Sequence, residues 1–244
     1  MSRVAVVTGA TRGIGAASAA ALGHNGFTVV ITGRSQPDVD AAAHRLTKEG
    51  IRARGVVLDV TSPENAVAAA QQIGEEFGHI DVLVNNAGAL PEATSQGAEV
   101  ADPAVVASTF ATNILGPFNV VEAFLPLLRK SEAARIVNVS TRMGSLAEQG
   151  DPSSAYYSMV VPAYQASKAA LNSFTISLSK ALADTPIVVT SVCPGFVQTD
   201  LTPVNRDQAP TTPEQAAQVV VTAATLPTGA TSGTFIDADG PIRW

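Results

Sequence analysis

The stretch Thr8-Gly9-Ala10-Thr11-Arg12-Gly13-Ile14-Gly15 decides the fold of this chain. It follows the apolar run Arg3–Val7 and opens into the alanine-rich run Gly13–His24. Glycine permits a tight turn and lets one backbone approach another closely. The segment therefore predicts a β-strand, a tight turn and an α-helix as the first structural unit of the protein.

The rest of the chain repeats this alternation of short apolar runs with alanine-rich runs. The short runs are apolar on both faces, which is typical of parallel strands covered by helices. The pattern predicts a doubly wound, parallel α/β sheet of about seven strands with helices on both faces, in one domain spanning residues 1–244. The strands are predicted at Arg3–Val7, Phe27–Thr32, Arg52–Leu58, Ile80–Val84, Arg135–Val139, Ile187–Val192 and Thr234–Ile236, and the helices at Gly13–His24, Val39–Glu49, Pro63–Phe77, Ala104–Lys130 (with a break at Pro117), Pro162–Ala183 and Pro213–Thr225.

The composition excludes several classes of protein. The 244 residues carry a net charge of -6 and show no basic cluster, which argues against a nucleic-acid partner. Cys193 is the single cysteine, so neither an internal disulfide nor a Cys/His metal cluster is expected. No uninterrupted apolar run reaches the roughly 18 residues of a membrane span, and the N-terminus does not resemble a signal peptide. We expect a cytoplasmic protein without a membrane partner.

The glycine-rich turn also suggests a ligand. A helix N-terminus offers unpaired N–H groups and a positive dipole end to an anion, and glycines let the backbone reach a pyrophosphate. The spacing here is G-x-x-x-G-x-G, which differs from the general G-x-G-x-x-G dinucleotide fingerprint. The alternative is a tight strand-to-helix connection that binds no ligand. The position after the first strand of a doubly wound pattern favours a dinucleotide site.

The end of the second strand bears on the type of dinucleotide. An NAD site usually has an acidic residue there, which bonds the ribose 2′-hydroxyl. This chain has Gly33 followed by Arg34, and Arg12 supplies a second guanidinium. These residues favour the 2′-phosphate of NADP(H), although Arg34 as an ordinary loop residue would leave NAD(H) open. Asp59, after the third strand, either contacts the adenine or caps the turn that follows it.

A tyrosine and a lysine form the candidate catalytic pair. Tyr164 and Lys168 are four residues apart on a predicted helix, which places the phenol and the ammonium on one face. We expect the ammonium to lower the pKa of the phenol from near 10 toward a range useful for acid–base catalysis. Such a pair also arises by chance, and in isolation it would be structural.

Six motifs together resemble the short-chain dehydrogenase/reductase family, over essentially the whole chain. They occur in the family's order, and the chain length resembles that of its single-domain branch, which includes carbonyl reductases. The motifs are TGATRGIG at 8–15, NNAG at 85–88, Asn113, IVNVST at 136–141, Tyr164-x-x-x-Lys168 and PGFVQT at 194–199.

The resemblance implies a role for each matching residue. Tyr164 matches the proton donor or acceptor, Lys168 the lysine that lowers its pKa and holds the nicotinamide ribose, and Asn113 an asparagine that holds a relay water. The alternative for Asn113 is a helix-interior asparagine with a local backbone bond. The implied cofactor contacts are Gly9, Thr11, Arg12, Gly13, Ile14, Gly15, Arg34, Asp59, Val60, Asn86, Ala87, Gly88, Tyr164, Lys168, Pro194, Gly195, Val197 and Thr199.

Two features depart from the family pattern. The family usually has two serines after the fifth strand, and the second orients the substrate carbonyl; here that position is Thr141, with Ser140 before it. We expect Thr141 to be the functional hydroxyl and keep Ser140 as the alternative. The loop Arg142–Ala163 is also longer than the commonest form, and either shapes the substrate pocket or is a surface excursion.

These observations predict an NADP(H)-dependent carbonyl reductase that is reversible as an alcohol dehydrogenase, acting on a small ketone or aldehyde. The alternative is a regulatory protein that binds NADP(H) on the same fold without catalysis. No metal is expected. The segments Ala89–Val100, Arg142–Ala163 and Phe196–Ala209 are expected to form the pocket. The resemblance implies a homodimer or homotetramer, paired through the helices at Ala104–Lys130 and Pro162–Ala183.

Overall fold

The computed structural model describes residues 3–95 and 98–244, so residues 96 and 97 of the predicted pocket segment Ala89–Val100 lie outside the described residues. Eight strands form one sheet in the order β3-β2-β1-β4-β5-β6-β7-β8. Neighbouring strands are parallel, except that β7 and β8 are antiparallel. The strands are β1 (Val4–Val7), β2 (Thr28–Gly33), β3 (Ala53–Val57), β4 (Val82–Asn85), β5 (Arg135–Val139), β6 (Val188–Val192), β7 (Thr234–Asp237) and β8 (Gly240–Pro241).

Helices follow most of the strands and cover both faces of the sheet. The reversal of strand order on either side of β1 and β4 opens a crevice at their carboxyl ends, where ligands bind in sheets of this kind. The helices are α1 (Gly13–His24), α2 (Gln36–Lys48), α3 (Pro63–Phe77), α4 (Pro103–Phe110), α5 (Gly116–Leu128), α6 (Leu146–Gln149), α7 (Pro162–Ala181), α8 (Pro203–Gln208) and α9 (Pro213–Ala224).

The side chains on the two faces of the sheet pack into two separate hydrophobic cores. In β1, Val4 and Val6 point into the core under α3 and α5, whereas Ala5 and Val7 point into the core under α1 and α9. Successive side chains of a strand alternate between faces, so a strand buried on both sides must be apolar throughout. This is the pattern from which the strands were predicted, and the doubly wound fold is confirmed.

The predicted helix at Ala104–Lys130 is interrupted, but not at Pro117. The break is a π-helical turn at Ala111–Leu115, between α4 and α5, and Pro117 lies in the first turn of α5. The backbone stays helical through the π turn, where Gly116 N donates to Ala111 O, so Pro117 lies inside a continuous helix and removes one donor from it. The two-residue strand β8 and the short helices α6 and α8 were not predicted. They are too short to produce a periodic pattern.

The stretch Pro103–Leu128 also bears on the expectation that no segment spans a membrane. Its 26 residues reach a mean hydropathy of 1.4 in an 18-residue window, of which 33% is buried. Among the described residues it is the one helical stretch that is long and apolar enough to cross a bilayer by length and composition. A single stretch of this kind is weak evidence, because core helices pass the same test. Here Val120, Phe124 and Leu128 are buried in the core.

Candidate active site

The glycine turn after β1 has the geometry of an anion site. Gly9 and Gly13 adopt positive φ angles of 62° and 57°, a region that glycine enters without strain. Helix α1 begins at Gly13, and the side chain of the preceding Arg12 makes no capping hydrogen bond to it. The N-terminal amides of α1 therefore face the crevice with their dipole end toward any bound phosphate.

The glycine turn interlocks with the turn after β4. A Cβ atom on Gly15 would lie 2.4 Å from Asn86 Nδ2, and one on Gly9 would lie 3.0 Å from Ala87 Cα. Asn86 Nδ2 donates to the carbonyl oxygens of Thr8 at 2.8 Å and Gly9 at 3.2 Å. Any side chain at Gly9 or Gly15 would therefore displace the neighbouring turn. The predicted cofactor residues of these two motifs lie together.

The end of β2 lies beside the same turn. A Cβ on Gly33 would be 2.9 Å from Thr11 Cγ2, so an acidic side chain has no room at this position without movement of Thr11. Arg34 is exposed directly after it. Arg45, which the sequence analysis did not single out, reaches over from α2 and donates to the Thr11 carbonyl at 3.1 Å. Two guanidinium groups, Arg34 and Arg45, thus lie near the turn.

Arg12, which the sequence suggested as a second guanidinium for the 2′-phosphate, is already paired with a carboxylate. Its guanidinium forms an ion pair with Asp200 at 3.3 Å, and both side chains are exposed. Asp200 also pairs with Arg206 of α8. The spatial neighbour Asp200 lies 188 residues away in sequence, which is why the sequence presented Arg12 as an unpaired donor. In this structure Arg12 joins the glycine turn to the segment after β6.

Asp59 caps the turn that follows β3. Its Oδ1 accepts from the backbone N of Thr61 at 2.9 Å and from Thr61 Oγ1 at 2.7 Å. The hydrogen bonds from Thr61 lower the pKa of Asp59, and the charge of Arg34 lowers it further against a small effect of burial. Asp59 therefore caps this turn, which is one of the two roles that the sequence left open for it. The adjacent Val60 is buried, and its carbonyl accepts from Asn119 of α5 at 3.0 Å.

The segment after β6 closes the crevice from the other side. Gly195 follows Pro194 with a φ of 85°, and Val197 is buried. A Cβ on Gly13 would lie 3.3 Å from Thr199 Cγ2, so Thr199 sits directly over the glycine turn. The predicted cofactor residues of the first and last motifs are therefore neighbours, although about 180 residues separate them.

Tyr164 and Lys168 are both buried in the first turns of α7, with 8% and 5% of their surfaces exposed. Lys168 Nζ donates to the carbonyl of Val139 at the end of β5 at 2.8 Å, and lies 5.6 Å from the centre of the Tyr164 ring. A bond to the sheet thus holds the ammonium near the Tyr164 ring.

The protonation of this pair differs from the expectation. Burial raises the pKa of Tyr164, with a smaller contribution from Cys193, and burial lowers the pKa of Lys168 to about 8. The expected lowering of the pKa of Tyr164 is therefore wrong for the chain without a cofactor. Desolvation disfavours the charged form of both groups, and it is the largest cause of both shifts.

Asn113 lies on the π-helical turn and holds the segment after β4. Its Oδ1 accepts from Ala89 N at 2.8 Å, and its Nδ2 donates to Ala89 O and Ser167 Oγ, both at 3.0 Å. A Cβ on Gly88 would be 3.6 Å from both Asn113 Oδ1 and Lys168 Nζ. The two groups therefore face one position, and the alternative of a local backbone bond is not what the structure shows. Single π turns are frequent at functional sites.

The hydroxyl groups after β5 differ in accessibility. Thr141 is partly exposed, and its Oγ1 accepts from Met143 N at 3.2 Å. Ser140 is 3% exposed, and its buried hydroxyl has no partner among the described residues. A carbonyl in the crevice can reach the hydroxyl of Thr141 more readily than that of Ser140. The geometry favours the expected choice of Thr141.

The loop Arg142–Ala163 is held by a cluster of charges. Arg142 pairs with Glu148 at 2.8 Å and with Asp237 of β7 at 2.6 Å, and Ser154 donates to Glu148 at 2.6 Å. Burial disfavours the charge of Arg142, but the hydrogen bond and charge of Asp237 and the charge of Glu148 raise its pKa overall. The loop is therefore fastened to the sheet beside Thr141.

Sequence reasoning missed several residues that hold the site together. Ser167 joins Asn113 to the Tyr164 carbonyl at 2.8 Å. The others contact distant parts of the chain, and no local spacing marks them. These are Arg45, Glu92 and a buried hydrogen-bonded chain that links β4, β5, α7 and β6 through Asn85, Asn138, Thr175 and Ser191.

Among residues 3–95 and 98–244, no group of three or more histidine, cysteine or acidic side chains has the arrangement of a metal site. The polar groups at the carboxyl edge of the sheet are instead amides, hydroxyls, a phenol and an ammonium. These groups donate and accept hydrogen bonds and transfer protons.

Comparison with known proteins agrees with this site. The family model for short chain dehydrogenases matches residues 3–210. A 3-oxoacyl-(acyl-carrier-protein) reductase of Aquifex aeolicus (strain VF5) is 34% identical over 232 residues, covering 90% of this chain and 88% of that protein. An NADPH-bound carbonyl reductase from chicken fatty liver superposes with a TM-score of 0.85 at 26% identity, covering 100% and 99% of the two chains. An actinorhodin polyketide ketoreductase variant with NADPH gives 0.81 at 29% identity, covering 97% and 95%.

The chain belongs to the short-chain dehydrogenase/reductase family. It is an oxidoreductase built on the doubly wound fold of that family, and the resemblance expected from its motifs is confirmed.

Proposed function

We propose that the protein is an NADP(H)-dependent carbonyl reductase that reduces a small ketone or aldehyde, and that runs in reverse as an alcohol dehydrogenase. The observation that carries this proposal is the burial of Tyr164 and Lys168 beside Asn113, at the crevice bordered by the glycine turn. A non-catalytic regulator would have no use for a buried phenol and ammonium facing a cofactor crevice. We therefore favour catalysis over the regulatory alternative.

The residues present fit NADP(H). Gly9 and Gly15 let the glycine turn pack directly against Asn86 and Ala87, and the amides of α1 suit the pyrophosphate. Gly33 leaves no room for a carboxylate, and Arg34 and Arg45 supply positive charge for a 2′-phosphate. When bound, the nicotinamide supplies the hydride chemistry. Solved relatives that contain NADPH support this choice over NAD(H).

The chain's own residues then supply orientation and the proton. Tyr164 donates its phenolic proton to the carbonyl oxygen during reduction, and Thr141 donates a hydrogen bond to the same oxygen. Burial raises the pKa of Tyr164, so the phenol carries its proton at neutral pH, and the transfer of that proton requires nearby positive charge to lower the pKa. Lys168, whose Nζ lies beside Asn113 Oδ1 at Gly88, can pass a proton toward Tyr164, and Asn113 holds the segment around it. Burial excludes bulk water from this pair.

A panel of ketones and aldehydes, assayed by loss of NADPH absorbance, tests the proposal. We expect at least one neutral carbonyl compound to be reduced. Tyr164→Phe should lose more than about a thousandfold in rate, since it removes the proton donor, while NADPH affinity stays within about twofold. Persistent inactivity of the wild type with tight NADPH binding would favour the regulator instead.

We also propose a homodimer or homotetramer formed through α5 and α7. Phe118 and Leu115 are exposed on this face, and Phe118 stacks on Phe174 with ring centres 3.8 Å apart. Exposed apolar patches of this kind suit a second copy of the chain. Light scattering at micromolar concentration should give a mass at least twice 24.9 kDa. A monomer at that concentration would contradict this assignment.

The remaining assignments are proposals of the same standing. We propose one catalytic and cofactor-binding domain over residues 1–244, located in the cytoplasm, with neither a nucleic acid nor a membrane as partner. The net charge of -6 supports the exclusion of nucleic acid. We propose that the apolar stretch Pro103–Leu128 packs in a protein core and does not span a membrane. The buried face of α5 and the π turn before it support this.

A further inference from the structure

The geometry points to Glu92 as a positioning residue for the proton donor. Its carboxylate binds the first turn of α7 and thereby fixes the backbone of Tyr164 against the crevice. This inference rests on the proposed function, because it assigns Tyr164 the role of proton donor. No pattern in the sequence marks Glu92, which lies more than 70 residues before the helix that it contacts.

The contact is bidentate and involves the backbone of the catalytic residue itself. Glu92 Oε1 accepts from Ala163 N at 3.1 Å, and Oε2 accepts from Tyr164 N at 3.0 Å. The N-cap residue of α7 is Val161, whose aliphatic side chain cannot accept a hydrogen bond. Glu92 therefore satisfies two amides of the first turn from a distant segment. Its negative charge also complements the positive end of the helix dipole.

The segment that carries Glu92 is itself fastened to the other catalytic groups. Ala89, three residues earlier, forms two hydrogen bonds with Asn113. Glu92 then lies in the 3₁₀ turn Pro91–Ala93. One short segment thus contacts the relay residue at one end and the backbone of the proton donor at the other. It links Asn113 to the N–H of Tyr164, while Ser167 links Asn113 to the Tyr164 carbonyl.

Lys168 depends on different contacts. Its Nζ is bonded to the Val139 carbonyl, and Gly144 packs against its backbone so closely that a Cβ there would lie 2.7 Å from Lys168 C. Loss of the Glu92 contact should therefore displace Tyr164 more than Lys168. It should lower the rate of the chemical step while leaving the NADPH site in place.

The test compares Glu92→Gln and Glu92→Asp with the wild type. Glutamine keeps the size of the side chain, but its NH2 group would face one of the two backbone N–H groups that the carboxylate now accepts from, so one hydrogen bond is lost. Aspartate keeps the negative charge on a shorter side chain. Glu214→Gln is the matched control, because Glu214 is an exposed acidic residue in the first turn of another helix, α9. Each protein is assayed for kcat, KM of the ketone, Kd of NADPH, thermal midpoint and the isotope effect with deuterated NADPH.

We expect Glu92→Gln to lose about 10- to 100-fold in kcat, because small displacements of a catalytic group cost about that much. The isotope effect on kcat should rise, since the chemical step becomes slower than the others, and Kd of NADPH should stay within about twofold. Glu92→Asp should recover part of the rate, and Glu214→Gln should match the wild type. Amide hydrogen exchange at residues 163 and 164 should accelerate about tenfold in Glu92→Gln.

Two outcomes would overturn the proposal. In one, Glu92→Gln keeps kcat within twofold of the wild type. In the other, its rate falls only in proportion to the folded fraction, with an unchanged isotope effect, which is the behaviour of a merely structural contact. A wild type that reduces no carbonyl compound would defeat the proposed function instead. The amide exchange at residues 163 and 164 would then decide on its own whether Glu92 holds the turn.

Discussion

The turn after β1 and the loop after β5 lie at the same edge of the sheet, but different forces hold them. The glycine turn is held by hydrogen bonds from Asn86 to its carbonyls and by contacts too close for any side chain, as at Gly9 and Gly15. The loop Arg142–Ala163 is held by ion pairs of Arg142 with Glu148 and Asp237. The cofactor side of the crevice is therefore rigid, whereas the substrate side is fastened by charges that substitution or salt can loosen.

The largest effect should come from breaking the rigid side. In Gly15→Ala, the new Cβ would lie 2.4 Å from Asn86 Nδ2 and 2.5 Å from Gly9 O, so both turns must move. We expect NADPH affinity to fall by about 100-fold, as measured by fluorescence titration. Gly50→Ala is the control, because a Cβ there meets nothing within 4 Å and the strain from its positive φ of 81° falls before β3, at the outer edge of the sheet. Equal losses in the two variants would show that the turn contact is not the cause.

Reversing a charge beside the turn should have a smaller and more selective effect. Arg34→Glu should weaken NADPH by about tenfold or more and leave NADH within about twofold, because a carboxylate repels the 2′-phosphate alone. The ratio of kcat/KM for the two cofactors measures this. Lys48→Glu changes the same charge at the exposed end of α2 and should leave the ratio unchanged. An unchanged ratio in Arg34→Glu would show that the 2′-phosphate does not bind at the end of β2.

Loosening the substrate side should change KM rather than cofactor affinity. Arg142→Gln removes the guanidinium that joins Glu148 to Asp237 and keeps a polar side chain. We expect KM of the ketone to rise about three- to tenfold, with Kd of NADPH unchanged, because the loop loses its attachment to the sheet. Arg129→Gln, on the surface after α5, is the control. A change confined to NADPH affinity would contradict the division between the two sides.

A further prediction concerns the stability of the chain without a cofactor. The pKa of Lys168 is about 8 in the folded chain, below its ordinary value of 10.5, so the unfolded chain binds more protons between these pH values. The free energy of unfolding should therefore increase with pH in that range. The cost of the buried ammonium is fully present below pH 8 and is relieved as the pH rises.

Urea unfolding at pH 7.5 and pH 10 measures this effect in the wild type and in Lys168→Met. The stability of the wild type relative to the variant should improve at the higher pH, because methionine carries no proton to lose. Tyr164 is common to both proteins and cancels to first order. A difference that does not change with pH would show that Lys168 is not charged and buried as described.

The sequence predicted the rigid side of the crevice better than the substrate side, and the reason is physical. Close backbone approach admits only glycine, so Gly9 and Gly15 mark the turn in the sequence itself. The short, continuous apolar runs likewise predicted the seven parallel strands, because burial on both faces requires apolar residues throughout. Thr141 was also predicted from its place after β5, and its role stays a prediction.

Contacts between distant segments could not be predicted in this way. Arg12 pairs with Asp200, Arg142 with Asp237, and Glu92 with the start of α7, and no local pattern records these pairings. The π turn at Asn113 and the effect of burial on Tyr164 also depend on packing that forms only in the folded chain. Spacing alone suggested that Lys168 would dominate the pKa of Tyr164, but desolvation dominates it.

The most direct test of the account follows a deuterium from the 4-position of NADPH into the product. We predict that the wild type places one deuterium on the carbonyl carbon of the alcohol formed from a neutral ketone. Tyr164→Phe should bind NADPH with the same affinity and transfer no measurable label in the same time. Label transfer by Tyr164→Phe at a rate comparable to the wild type, or none by the wild type across the panel, would contradict the account.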